Sequence, residues 1–295
     1  MYIVGKVIKM NTIGIGPLSL CLHRTVRVKN NNEASNLPPS LGSFEIYKVS
    51  DFGERCPKSW DKDGYFIAMH SQEAMWMSFQ NCEPVAIVVG AGSINAINGN
   101  KLNEKLDKDG YIVCPPQPWL DGWKSDDGTV YQFIATEVGE NKTIGEQLAE
   151  TKDHAILVSV FKAKNPEKLQ SCIVQQTWGD SEYGDLDFEA FGGCCKGLQP
   201  MACCNFGTEM GLGKGGKIIQ KIYEDPHGIE EWIETPEKTI KIYLTNASEF
   251  AEITGQVLPM PMTAEEYDGI WFGLKDKQMN DIPGTTVFDK LKSAI

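Results

Sequence analysis

The feature that most constrains this chain is a two-residue hydrophobic period that returns in short runs. In YFIAMHSQEAMWMSFQ, Met75, Met77 and Phe79 fall on one face and Ala74, Trp76 and Ser78 on the other. An extended strand alternates side chains in this way and a helix does not. GTVYQFIATEV repeats the pattern with Val130, Gln132 and Ile134, and HAILVSVFKAK does so with Ile156, Val158 and Val160. EPVAIVVGAG is apolar on both faces, which suits a central strand. The runs are separated by turn formers, PPSLG, DKDG, PPQPWLDG and SDDG, and lie too close together for helical crossovers. One short helix is expected in NKTIGEQLAE. The expectation is a mainly β fold, an antiparallel sandwich or partly closed barrel, over residues 1–180.

From about residue 181 to 295 the pattern becomes α+β, either separate from the first region or integrated with it. DSEYGDLDFEAFGG reads as an acidic linker, while GKIIQKIYED and KTIKIYLTN read as strands. Asn246 or Ser248 can cap a helix in SEFAEITG that Gly255 ends. Thr263 and Glu266 have capping-box spacing, and VFDKLKSAI reads as a final amphipathic turn.

Composition narrows the functional classes. The 295 residues are 41% hydrophobic, enough for a substantial core, and the formal charge of −12 disfavours non-specific contact with nucleic acid or anionic membrane. No run reaches the about 18 apolar residues of a spanning helix. The opening MYIVGKVIKMNTIGIGPLSLCLHRTVRV, interrupted by Lys6, Lys9, Asn11 and Gly14, reads as part of the fold rather than a leader. Nine cysteines cannot all pair with one another, and reduced thiols in a cytoplasmic protein are the simpler expectation.

Several stretches imitate chemical motifs. AIVVGAGSINAINGN begins like a dinucleotide loop at Gly90 and Gly92, but Asn95 occupies the third position and no long helix follows, so strand, turn and strand is the expectation. GLGKGG satisfies GxGxxG literally at Gly211, Gly213 and Gly216. Its context is inverted, because a strand follows it and none precedes, and a flexible connector is expected. Lys214 there, with Lys217, could hold an anion. Cys194, Cys195, Cys203 and Cys204 form two adjacent pairs that lack zinc-knuckle spacing, so no metal is expected from them and no cofactor is implied. His70 and Glu73, on a turn between two strands, are the catalytic candidates, without a serine or cysteine signature beside them. His154 reads as a core or edge histidine. PPQPWLDGW is stiffened by Pro115, Pro116 and Pro118. Its Trp119, Asp121 and Trp123 either plug the end of a sheet or present a ligand surface.

AMHSQEAMWMSF, VAIVVGAGSINAINGN, QPWLDG, GTVYQFIA, TIGEQL, EMGLGKGGKIIQKIYEDPHGIEEW and TAEEY followed by WF, in this order, resemble an uncharacterised family of microbes and fungi. Comparable M-x-Q-E-A-M-W, QPWLDG, V-x-Q-F-V-A and MGL-x-x-GG blocks mark that family. The resemblance runs from about residue 12 to the end. It implies one integrated architecture and no established activity. It also assigns both glycine stretches to strand-turn-strand elements. Members are sometimes labelled integral membrane proteins, a label at odds with a sequence lacking a spanning segment.

These readings lead to a binding or self-assembling structural protein, with homo-oligomerisation covering strand edges such as EAMWMSF and KTIKIYL. The enzymatic alternative is a small-molecule or nucleotide-dependent activity at the Gly90 turn or the Gly211 loop.

Overall fold

A computed structural model describes residues 9–31, 33–81, 83–173, 209–261 and 279–295. Its strands are Thr12–Ile15 (β1), Leu18–Thr25 (β2), Tyr47–Lys48 (β3), Tyr65–Ala68 (β4), Ala74–Asn81 (β5), Val85–Ala91 (β6) and Ile94–Asn95 (β7). They continue with Ile112–Cys114 (β8), Trp119–Leu120 (β9), Gly122–Lys124 (β10), Thr129–Glu137 (β11), Ile156–Lys162 (β12), Met210–Ile219 (β13) and Lys238–Thr245 (β14). The helices are Ile144–Leu148 (α1), Pro166–Ile173 (α2) and Ala247–Thr254 (α3).

The protein is mainly β. Among the described residues the strands form one 14-stranded sheet whose main path runs β1-β2-β5-β11-β13-β14-β12-β6-β7, with β3, β4, β8, β9 and β10 paired off it. The sheet does not close into a barrel. Its pairings are antiparallel except that of β4 with β14. β13 and β14 enter between β11 and β12, so strands from both sides of residue 180 share one sheet.

Periodicity explains the layers. On β5, Met75, Met77 and Phe79 are buried in the main core, while Trp76 and Ser78 are half-buried on the opposite face. β6 is buried throughout: Val85, Ile87 and Val89 join the main core, and Ala86 and Val88 pack with Trp232 and Phe161 on the other side. A third cluster beneath α3 gathers Tyr47, Phe52, Trp60, Phe66, Tyr243 and Phe250.

Local signals set the helix ends. Thr143 closes a capping box with Glu146 at the start of α1. Asn246 accepts from the Glu249 backbone N–H at the start of α3, and Gly255 ends that helix at φ 73°. The Gly92-Ser93 turn between β6 and β7 has both residues at positive φ, 56° and 64°, as a two-residue hairpin of primed type requires. Thr263 and Glu266, and the acidic linker, lie outside the described residues. No helix among the described residues is long and apolar enough to cross a membrane.

GLGKGG corrects the expectation of a flexible connector: it lies inside β13, and Met210–Gly216 are all buried. The glycines are there because other chain segments come too close for side chains. A Cβ on Gly213 would stand 2.7 Å from the Lys142 carbonyl oxygen and from the Ala294 methyl, and one on Gly216 would stand 2.3 Å from the Lys29 oxygen. Gly14, by contrast, has open space around it. Gly216→Ala is therefore expected to lower unfolding free energy by about 1–3 kcal/mol through overpacking, while Gly14→Ala stays within about 0.5 kcal/mol. Urea unfolding of the two variants checks this, and equal stabilities would contradict a close-packed β13.

Candidate functional site

The turn between β4 and β5 carries His70 and Glu73 but does not pair them as acid and base. Glu73 is buried, its Oε1 accepts from the Arg24 guanidinium, and its Oε2 accepts from the His70 backbone N–H at 2.9 Å. Arg24 in turn lies 4.3 Å over the Phe44 ring. Burial raises the Glu73 pKa, with the Arg24 charge opposing it. The His70 ring reaches away, its Nε2 lying 3.0 Å from the Pro259 carbonyl oxygen. Both carboxylate oxygens thus have structural partners.

The aromatic segment PPQPWLDGW enters the sheet instead of presenting a surface. Trp123 is fully buried, meets Phe133 edge-on at 5.1 Å and donates its indole N–H to the Gly213 carbonyl at 3.1 Å. Asp121 is 1% exposed, and Gln220 clamps it twice: the Asp121 backbone N–H donates to Oε1 at 3.0 Å and Nε2 donates to Oδ2 at 2.5 Å. The Trp119 indole faces the carboxyl without closing a hydrogen bond. Burial therefore pushes the Asp121 pKa up to about 8, against the lowering by Trp119 and Gln220. Lys214 is also buried, its Nζ 4.4 Å from the Tyr131 ring centre and donating to the Asp289 carbonyl at 3.2 Å. Of the four residues expected to contact ligand, only half-buried Trp119 keeps appreciable exposed surface.

The Gly90–Gly92 stretch is closely packed by neighbouring backbone. A Cβ on Gly90 would stand 2.3 Å from the Ile94 oxygen, and one on Gly92 would stand 2.5 Å from the Cα of Gly145. Cys194, Cys195, Cys203 and Cys204 lie outside the described residues. Cys21, Cys56 and Cys114 carry thiols.

Open space converges elsewhere. A cleft of about 210 Å³ lies where the loop before β4, the segment entering β12, the start of β13 and the end of β14 meet. Trp60, Lys152, Asp153, His154, Glu209 and Tyr243 are among the residues lining it. A larger, more open hollow over Asn103–Asp107 is bounded by one loop alone. Trp60 stacks on Tyr243 with ring centres 4.6 Å apart and planes 5° from parallel, and the Tyr243 hydroxyl accepts from the Asp61 backbone N–H at 2.8 Å. Lys241 holds Asp153 at 2.6 Å.

His154 owes its place to the glycine at 211 in β13, because a Cβ there would come within 3.1 Å of the histidine Cβ. Its Nδ1 lies 3.4 Å from the Thr143 hydroxyl, which donates to Glu146 at 2.8 Å. With the hydroxyl proton on Glu146, the ring supplies Nδ1–H and keeps Nε2 as an acceptor. Burial lowers the His154 pKa, opposed by Glu146, Glu209 and Asp153, so the ring is neutral near pH 7. Nearby, burial first and Glu209 and Glu252 next push Glu249 up to about 7. The cleft therefore combines an aromatic wall, an uncharged acceptor and carboxylates. Trp60, Glu209 and Tyr243 belong to no spacing motif, so nothing short in the sequence links them to His154.

No family model, curated protein or solved structure matches the chain.

Asp121 yields a prediction of definite sign. A carboxyl whose folded pKa, about 8, exceeds its unfolded value holds an extra proton in the native state between roughly pH 4 and 8. Its contribution is thus fully present at low pH and is lost as pH rises through 8. Urea unfolding from pH 5 to 8.5 should show wild type losing stability relative to Asp121→Asn as pH increases. A constant difference between the two would contradict a protonated Asp121.

Proposed function

We propose that the protein is a binding module that takes a small polar molecule in the Trp60–His154 cleft and self-associates in the cytoplasm. The observation carrying this reading is the convergence on one cleft of the Trp60–Tyr243 stack, neutral His154 and Glu209. A volume of about 210 Å³ falls below the roughly 300–1,000 Å³ of drug-sized sites and suits a ligand the size of an amino acid or monosaccharide. The aromatic wall favours a molecule with one apolar face. Glu209 and the His154 acceptor favour hydrogen-bond donors or a cationic group on its edge. Asp153 is already neutralised by Lys241.

Two further observations support the rest of the proposal. The charge of −12 argues against nucleic acid as the ligand. Among the described residues β1 ends the strand path and pairs along its length with β2 alone, and Thr12 and Gly14 on it are exposed, an edge suited to a second copy.

Thermal unfolding in the presence of monosaccharides, amino acids and polyamines tests the cleft. At least one compound should stabilise the protein saturably, by about 2.7 kcal/mol at a hundredfold excess over its Kd. His154→Asn and Glu209→Ala should weaken the affinity at least about tenfold, the loss of one charged or buried contact, and so cut that stabilisation by about 1.4 kcal/mol at the same ligand concentration. A flat response from wild type across the panel counts against the reading, and light scattering showing only one-chain mass at all concentrations removes self-association from it.

A further inference from the structure

β2 and β5 pair antiparallel with His23 opposite Trp76 and Cys21 opposite Ser78. Leu20, Leu22, Met75, Met77 and Phe79 occupy the core face, so the period of two brings Cys21, His23, Trp76 and Ser78 together on the other. There the His23 Nε2 lies 2.8 Å from the Ser78 Oγ, and Nδ1 lies 3.1 Å from the Ser40 Oγ on the segment crossing that face. The imidazole stacks on Trp76, centres 3.9 Å apart and planes 11° from parallel. His23 is 5% exposed, whereas Ser40, Trp76 and Ser78 are half-buried and within reach of solvent. A hydroxyl on a histidine whose second nitrogen is fixed by a third side chain is the arrangement of an activated nucleophile.

We propose that Ser78 is the nucleophile of an acyl-transfer site that takes small esters, with His23 as its base and Ser40 as a positioning residue. With Nδ1–H donated to Ser40, Nε2 accepts the Ser78 proton. The Ser78 Oγ bonds to the ester carbonyl carbon as its proton moves to Nε2. The tetrahedral adduct then breaks its bond to the alkoxy oxygen, which leaves as alcohol with the proton from Nε2. Water repeats the sequence on the acyl-serine, so ester and water become acid and alcohol, with no change of oxidation state.

Other features of this face agree. The Trp76 indole N–H, two residues from Ser78 on the same face, is a buried donor without a partner among the described residues, and in the proposed reaction it is assigned to the developing oxyanion. Burial lowers the His23 pKa to about 4, so the ring is neutral at physiological pH and its conjugate acid readily protonates a leaving alkoxide. So weak a base suits esters with good leaving groups and not amides. Burial drives the Cys21 thiol up to about 11, so it stays protonated, and the two His23 ring nitrogens are taken by Ser78 and Ser40, so the base acts on Ser78. The site shares no residue with the Trp60–His154 cleft.

The test treats the full chain with a fluorophosphonate probe and maps the adduct by mass spectrometry, with melting temperatures recorded for every protein. The expected result is one adduct, on Ser78, absent in Ser78→Ala. His23→Gln should slow its formation about a hundredfold and Ser40→Ala about tenfold, with Ser40→Thr restoring it. The wild-type rate should be flat from pH 6 to 8, above the His23 pKa of about 4. A folded wild type that leaves Ser78 unlabelled overturns the proposal without recourse to any variant. Labelling at an unchanged rate in folded Ser40→Ala and His23→Gln overturns it equally.

Discussion

The rest of the structure depends on one strand that carries glycine at four of its ten positions. β13 forms a ladder with β11 on one side, but its regular pairing with β14 is limited to Met210 and Leu244. Three irregular segments approach the rest of that strand. Ser35 and Ile218 form a parallel bridge, Thr143 and Gly213 an antiparallel one, and Lys214 and Ser293 another parallel one. The Ala294 N–H donates to the Lys214 oxygen at 2.8 Å, and the Ser35 N–H to the Lys217 oxygen at 2.8 Å. Buried backbone groups must be paired, and here the region after β2, the start of α1 and the C-terminal tail pair them. Ordinary side chains at Gly213 or Gly216 would hold those segments off.

The same close approaches build the cleft. Gly211 admits Thr143 and His154, while Gly145 and Gly92 touch backbone to backbone where the β6–β7 turn meets α1. The capping box that starts α1 therefore has a second consequence, because its Thr143 hydroxyl also orients His154. Trp60 joins from a distant loop through its stack on Tyr243 of β14. Burial then sets the charge states: it keeps His154 neutral and Asp121 protonated near neutral pH.

What could be read in the sequence was whatever a short window determines. The alternation of Met75, Met77 and Phe79 gave the core face of β5, the unbroken apolar run gave β6, and Asn246 with Gly255 marked both ends of α3. β13 escaped because glycine has no hydropathy pattern, so six residues of a buried strand looked like a loop. Lys214 looked like an anion contact because the Tyr131 ring that meets its ammonium group belongs to a neighbouring strand. Asp121 looked accessible for the same reason, its partner Gln220 standing 99 positions away. The His23–Ser78 and Trp60–Tyr243 pairs are likewise products of the sheet's register and not of spacing.

Amide hydrogen exchange tests the central role of β13 most directly. If that strand holds the sheet and its covering segments together, the amides of Gly211 to Gly216 exchange only on global unfolding, with protection equal to that of Val85–Ala91 in β6. Fast exchange of the glycine amides while β6 remains protected would contradict the account and return GLGKGG to a flexible connector.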